Sequence, residues 1–288
     1  MNITLSDIQN AARKCLIRAG TTFRKDQIRA YQKAIETESE DNARWVLEQI
    51  VENARIAERE QLPLCDDTGI PHVLAHIGEA CMLPAGWIEA VQKGVAAGLR
   101  EMPGRPMAVE GNDIQRIEQS CGLHSDPGAL EAAPMIVRTG QGNQFKLTIL
   151  LLGGGPEIRA KTRRIFHKRS MDHVIDEITA WLTKAIGSLG CTPCIPAIGI
   201  GRSQAEAATL MLEAMAEGNL DEQSDMEKKI TGVMNQTRVG PLGLGGGTTA
   251  LGCFLKIGPM RASGVRIASV RPCCLVEVRR ATVVLGEE

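Results

Sequence analysis

Apolar positions recur with a helical period through the first sixty residues. Ile8, Ala11, Ala12, Cys15 and Leu16 fall on one face behind Leu5-Ser6-Asp7, and Asp41 can cap a longer helix carrying Trp45, Val46, Ile50, Val51 and Ile56. Leu62-Pro63 stops that helix, and the polar turn Leu64-Cys65-Asp66-Asp67-Thr68-Gly69 feeds a short apolar run over 72–77, which reads as a strand. A helix is predicted over 87–100, ended by Pro103-Gly104. Next, Pro134-Met135-Ile136-Val137 and residues 146–152 read as two strands of a hairpin around Gly140-Gln141-Gly142-Asn143. The second of these runs into Gly153-Gly154-Gly155-Pro156, a backbone stripped of side chains that a ligand can approach closely. Helical periodicity returns over 171–188, 204–217 and 221–235, and the end of the chain reads as strands over 248–257 and 265–285, interrupted by Pro272-Cys273-Cys274.

No repeat, low-complexity tract or linker divides this pattern. It predicts one α+β unit over 1–288, with a helical segment over 1–60 and a mixed sheet carrying glycine-rich loops over 61–288. Composition narrows the function. With 33 Lys+Arg against 34 Asp+Glu the chain is neither a polybasic nucleic-acid binder nor an acidic tail, and 3% aromatics leave little for base stacking. No run of apolar residues is long enough for a membrane span and the first residues lack a signal-peptide core, so the expected location is the cytoplasm.

Nine cysteines in a reducing compartment are not a disulfide framework. Cys15 lies on an apolar helical stripe, and Cys81, Cys121 and Cys253 sit beside apolar residues, so these four read as core packing. The other five lie in polar or proline-bounded loops: Cys65 before two carboxylates, Cys191 and Cys194 around Thr192-Pro193, and Cys273-Cys274 after Arg271-Pro272. Three such loops far apart in sequence suit a three-point metal or cluster site better than a zinc ribbon, although spacing alone leaves structural thiols open. Cys191-Thr192-Pro193-Cys194 lacks the aromatic residue and βαβ setting of a thioredoxin motif, and the glycine runs match neither a dinucleotide fingerprint nor a P-loop. The basic cluster Arg163-Arg164, His167, Lys168 and Arg169 reads as a solvated face.

Pro63-Leu64-Cys65-Asp66-Asp67-Thr68-Gly69 resembles the P-x-C-Q-D-T-G loop of class I, iron–sulfur fumarases and of the α subunit of L(+)-tartrate dehydratase. Further landmarks follow in the family's order. Arg105-Pro106-Met107-Ala108-Val109 resembles R-x-N-A-V, residues 153–155 the G-G-G turn, and Cys191-Thr192-Pro193 the C-P-P segment. Gly240-Pro241-Leu242-Gly243-Leu244 resembles G-P-x-G-L, and Cys274 with Arg279-Arg280 resembles C-W-x-x-R-R. The likeness runs from about Gln61 to Leu285.

That resemblance implies a [4Fe–4S] cluster held by Cys65, Cys191 and Cys274, with one iron open as a Lewis acid in adding or removing water on a 2-hydroxydicarboxylate of the malate or tartrate type. It implies Asp67 as the proton shuttle on the hydroxyl side and Arg105 as a carboxylate clamp, with Gly154 and Asp66 lining the substrate. It further implies a separate β subunit that supplies the C–H base, for which 288 residues leave no space after Leu285, and an α/β heterotetramer. Departures from the pattern are concrete. Asp66 replaces a neutral glutamine, Ala262 stands where the family has a histidine, and the N-T-G stretch is replaced around Ser120-Cys121-Gly122-Leu123-His124. Cys194 competes with Cys191, and Cys273 with Cys274. Against the enzyme reading stand a module that keeps the fold without turnover and a zinc or redox thiol protein; metal analysis separates them.

Overall fold

The computed structural model describes residues 2–286. In chain order its elements are α1 (Leu5–Thr21), α2 (Lys25–Thr37), α3 (Asp41–Glu60), β1 (Ile70–Gly78), α4 (Trp87–Glu101), α5 (Asp113–Glu118), β2 (Ile136–Gly140), β3 (Phe145–Leu152), the single turn α6 (Gly154–Glu157) and β4 (Lys161–Phe166). They continue with α7 (Met171–Ile186), β5 (Ala197–Gly201), α8 (Gln204–Glu217), α9 (Asp225–Gln236), β6 (Phe254–Ile257), β7 (Val265–Arg271) and β8 (Arg279–Leu285). The architecture is α+β, with helices leading and mixed sheets following. No described helix is long and apolar enough to cross a membrane. Chain contacts divide it into two compact units, one formed by the chain up to Thr22, Ala54–Gly153 and the chain from Arg279, the other by Phe23–Asn53 and Gly154–Val278.

The first unit is a four-stranded sheet in the order β2-β1-β3-β8, with β1 parallel to β2 and the other pairs antiparallel. Thr4 and Asp7 close a capping box that starts α1, the side chain of each accepting the other's backbone N–H. The apolar stripe of α1 and that of α4 then cover the sheet: Ile8, Cys15, Leu16, Val91, Val95 and Leu99 pack with Phe145, Leu147, Ile149 and Leu151. Gly94 lets the helices close, since a Cβ there would stand 2.3 Å from the Gln9 carbonyl.

Both strands of the expected hairpin exist, yet they are not partners, because β1 lies between them. The loop after β2 wraps over the end of β1 instead: Gly78 N–H donates to Gln144 O, Glu79 N–H to Gly140 O and Ala80 N–H to Gly142 O. These bonds take the polar groups a tight two-strand turn would have used.

The second unit carries the sheet β4-β7-β5-β6, with β7 antiparallel to both neighbours and β5 parallel to β6. α8 packs on β5 and β7. The strand predicted over 248–257 begins only at Phe254, because side chains capture the preceding N–H groups. Glu38 accepts from Gly247 and Thr248 (2.9–3.0 Å), Asn235 Oδ1 from Thr249 and Ala250 (2.9 and 2.7 Å), and Gln223 Oε1 from Cys253 (2.8 Å). The strands expected over 265–285, interrupted by Pro272-Cys273-Cys274, are β7 and β8, and they belong to different sheets. α9 starts at Asp225 and not at 221, where Ser224 and Glu227 form its capping box. β4, built from Lys-Thr-Arg-Arg-Ile-Phe, has no apolar alternation to announce it; among its residues Ile165 is the buried one, and Arg163 stacks over Trp181 at 5.0 Å.

Candidate active site

In the first unit the chain leaves α3, is tied by Leu64 N–H to Gly20 O (2.9 Å), and turns through Cys65, Asp66, Asp67, Thr68 and Gly69 into β1. Cys65 is half-buried. Burial pushes its thiol up, partly offset by the Asp67 backbone N–H; Asp66 pushes it further up and the Arg279 charge pulls it down. Asp67 Oδ1 accepts the Gly69 N–H at 3.0 Å, an Asx turn that fixes its carboxylate beside the loop backbone. Thr68 stitches Arg105 to the same loop: its Oγ1 accepts the Arg105 N–H at 2.7 Å and donates to Arg105 O at 3.1 Å.

The Arg105 guanidinium is left exposed, 3.9 Å from Asp66 Oδ2. Asp66 Oδ1 is 3.4 Å from Cys65 Sγ. The Asp66 carboxylate thus has a cation facing it. Four predicted site residues, Cys65, Asp66, Asp67 and Arg105, therefore share one loop assembly.

Cys191, Cys274 and Gly154 belong to the second unit. Leu275 N–H donates to Cys191 O at 2.8 Å, so the two Cys loops are joined backbone to backbone. In each doubled thiol one member is wholly buried and the other less so. Cys191 is exposed, whereas Cys194 is wholly buried between Thr249 O, which accepts its N–H, and Leu251 N–H, which donates to its carbonyl; burial drives its thiol far up. Cys273 is wholly buried with Sγ 3.8 Å from Met215 Sδ, and burial raises it too; Cys274 retains 9% exposure.

The loop that carries Cys274 is closed by a fully buried fork in which Arg271 Nε and Nη2 donate to the Glu277 carboxylate at 3.2 and 3.0 Å. From α2, Tyr31 Oη donates to Leu275 O at 2.8 Å. Thr192 organises the glycine loop, accepting Leu242 N–H at its carbonyl (3.0 Å) and Gly243 N–H at Oγ1 (3.2 Å). Gly154 opens the one-turn α6. Ala262 lies in an exposed loop beside Ser263, whose carbonyl is 2.9 Å from His167 Nε2. Within either unit, no three His, Cys, Asp or Glu side chains among the described residues gather tightly enough for a mononuclear metal.

Of the four cysteines expected in the core, Cys15 and Cys253 are buried, and burial pushes the Cys15 thiol up to about 12. Cys81 is half-buried against the first unit's core, and Cys121 is exposed, because residues after α5 form a polar turn held by the Val109–Leu123 bridge.

The sequence model of the family described as Fumarate hydratase (Fumerase) matches residues 9–284. The chain belongs to this family. Among curated relatives, a Methanocaldococcus jannaschii protein provisionally named L(+)-tartrate dehydratase subunit alpha is 26% identical over 256 residues, covering 86% of this chain and 88% of its own length. Fumarate hydratase 2 of Leishmania major is 28% identical over 190 residues, 64% of this chain and 31% of that protein. A Geobacillus stearothermophilus protein provisionally named fumarate hydratase class I is 25% identical over 265 residues, 85% and 48%. The chain thus spans most of the first relative, and just under a third and just under a half of the two fumarate hydratases.

The fold gives Thr68 and Arg279 a setting that the sequence alone did not. Thr68 had no signal beyond its place in the loop, and Arg279 was visible only as the first half of an Arg-Arg pair; the fold places its Nη1 2.6 Å from Asp67 O.

Proposed function

We propose that this chain is the α subunit of a [4Fe–4S]-dependent hydro-lyase that adds or removes water on a small 2-hydroxydicarboxylate, with Cys65, Cys191 and Cys274 as the cluster ligands. The observation that carries the reading is the sorting of the thiols: in each doubled position the cysteine that matches the family pattern is the more accessible one, and its neighbour is sunk in the core. The donor chemistry fits, since three thiolates suit a cluster. A buried guanidinium nitrogen of Arg279, without a partner, lies in the unit that holds Cys65.

When bound, a cluster with three protein ligands supplies Lewis acidity at its open iron for a substrate's carboxylate and hydroxyl. The chain's own residues do the rest. Asp67, fixed by its Asx turn, takes or returns the hydroxyl proton at its carboxylate. Arg105 presents an exposed fork to a substrate carboxylate and, through Thr68, keeps register with Asp67. Asp66 is an acceptor that suits a second hydroxyl, which favours a tartrate-type over a malate-type substrate. Gly154 brings bare backbone. The C–H base comes from a separate β subunit, in an α/β heterotetramer working in the cytoplasm, and residues 1–288 act as one functional domain in it.

Anaerobic reconstitution of the full chain tests the assignment. Wild type and Cys15→Ser are expected to hold a full iron and sulfide complement, and Cys65→Ser, Cys191→Ser and Cys274→Ser to fail to assemble it. Full iron and sulfide in all three single variants rejects the ligand set.

A further inference from the structure

Arg279 opens β8 opposite Leu151 and is 3% exposed. Its Nη1 donates to Asp67 O at 2.6 Å and to Thr68 O at 3.2 Å, so one end of the guanidinium clasps the loop that carries Cys65. Gly69, with φ +81°, closes the loop onto that group; a Cβ there would stand 2.5 Å from Nη2. The other end is unspent. Arg279 Nε is, among the described residues, the buried side-chain nitrogen or oxygen without a hydrogen-bond partner. A charged donor shut away from water without an acceptor is unfavourable, which makes it a sign of an acceptor that arrives later. The carbonyls of Asp67 and Thr68 already receive Nη1, and Cys65 lies within reach of the Arg279 charge.

We propose that Arg279 is the positioning residue of the Cys65 ligand: Nη1 fixes the loop, and Nε–H donates to sulfur, either the Cys65 thiolate or an adjoining inorganic sulfide, when a cluster is bound. The inference rests on the cluster reading above. Hydrogen bonds to cluster sulfur stabilise the more negative, reduced state, so this donor also raises the reduction potential. Lysine keeps the charge at this place but has neither the planar fork nor an Nε–H.

The test uses the full chain, wild type and Arg279→Lys, reconstituted anaerobically. Arg279→Lys is expected to lose iron to a chelator about 10- to 100-fold faster, as is usual when a group supporting a metal ligand is removed, and to show a lower reduction potential, a change that loosened packing alone does not predict. In the apo chain, amide hydrogen exchange over 65–69 is expected to be faster in the variant. A measurement on unaltered protein covers a variant that does not fold. Pulsed EPR of the reduced wild-type cluster, with arginine labelled by 15N at Nε, is expected to show a nitrogen coupling that unlabelled protein lacks. Iron retention and potential equal to wild type, or no such coupling, overturns the sulfur contact. Unchanged exchange over 65–69 overturns the pinning. If wild type takes up no iron at all, the cluster reading fails and the sulfur contact with it, while the exchange result still decides the pinning.

Discussion

Asp67 has one observed duty, in its loop, and one proposed duty, in proton transfer. Oδ1 receives the Gly69 N–H and shapes the loop, and the titratable group is the one assigned to the hydroxyl proton. The two can be separated because asparagine retains a carbonyl oxygen for the Asx turn but cannot take a proton. Asp67→Asn is therefore expected to keep its iron and sulfide and to lose at least ~10²-fold in kcat, the low end of what an acid–base group contributes. Loss of the cluster along with activity makes Asp67 a loop cap and nothing more. At this scale the grouping of Cys65, Asp66 and Asp67 with Arg105 was legible from residue type and order, and the fold brings these four into one loop assembly. The sequence was mute about Thr68, whose double hydrogen bond to Arg105 depends on two loops 37 residues apart being folded together. It was equally mute about which of Cys273 and Cys274 is buried more completely, since both are cysteine and only the path of the chain distinguishes them.

Among the elements, α1, α4 and α7 were legible because each buries one stripe, and period survives in the sequence. β4 was not, because an edge strand with four exposed basic or polar residues has no apolar alternation to display. The segment before β6 deceived in the opposite direction, being apolar enough for a strand while its N–H groups are spent on side chains. Glu38, just past α2, is the centre of that arrangement. It is 3% exposed, and although burial pushes its carboxyl up, the N–H groups of Gly247, Glu40 and Thr248 outweigh burial and hold it below the ordinary glutamate range. A carboxyl depressed in the folded state stabilises that state above its unfolded pKa, ~4.3, and loses this contribution as pH falls through the folded value. Glu38→Gln should thus lower the urea midpoint by a constant amount from pH 7 to about 5, with the gap to wild type closing as pH is lowered further. A gap independent of pH down to 3 shows that the Glu38 charge does not hold the glycine loop.

For the molecule as a whole, dehydration of a 2-hydroxydicarboxylate needs an acid for the leaving hydroxyl, a base for the neighbouring C–H, and cations for two carboxylates. On the reading proposed above, the loop assembly of the first unit supplies the hydroxyl side through Asp67 and one carboxylate contact through Arg105. The match to the two fumarate hydratases covers 31% and 48% of their lengths, whereas it covers 88% of a protein named as a subunit alpha, a distribution that supports a division of the work between two chains. We therefore expect the full chain, loaded with cluster and free of any partner, to bind a dicarboxylate weakly through Arg105 and to show no substantial turnover of malate or of either tartrate enantiomer. Adding a co-purifying second subunit should restore turnover without changing the iron content of this chain, and Arg105→Lys should then weaken kcat/KM in the complex, because a point charge replaces a two-pronged clamp. The decisive comparison is the rate per cluster: a chain that turns over as fast alone as in the complex contains its own C–H base, and the two-chain reading is wrong.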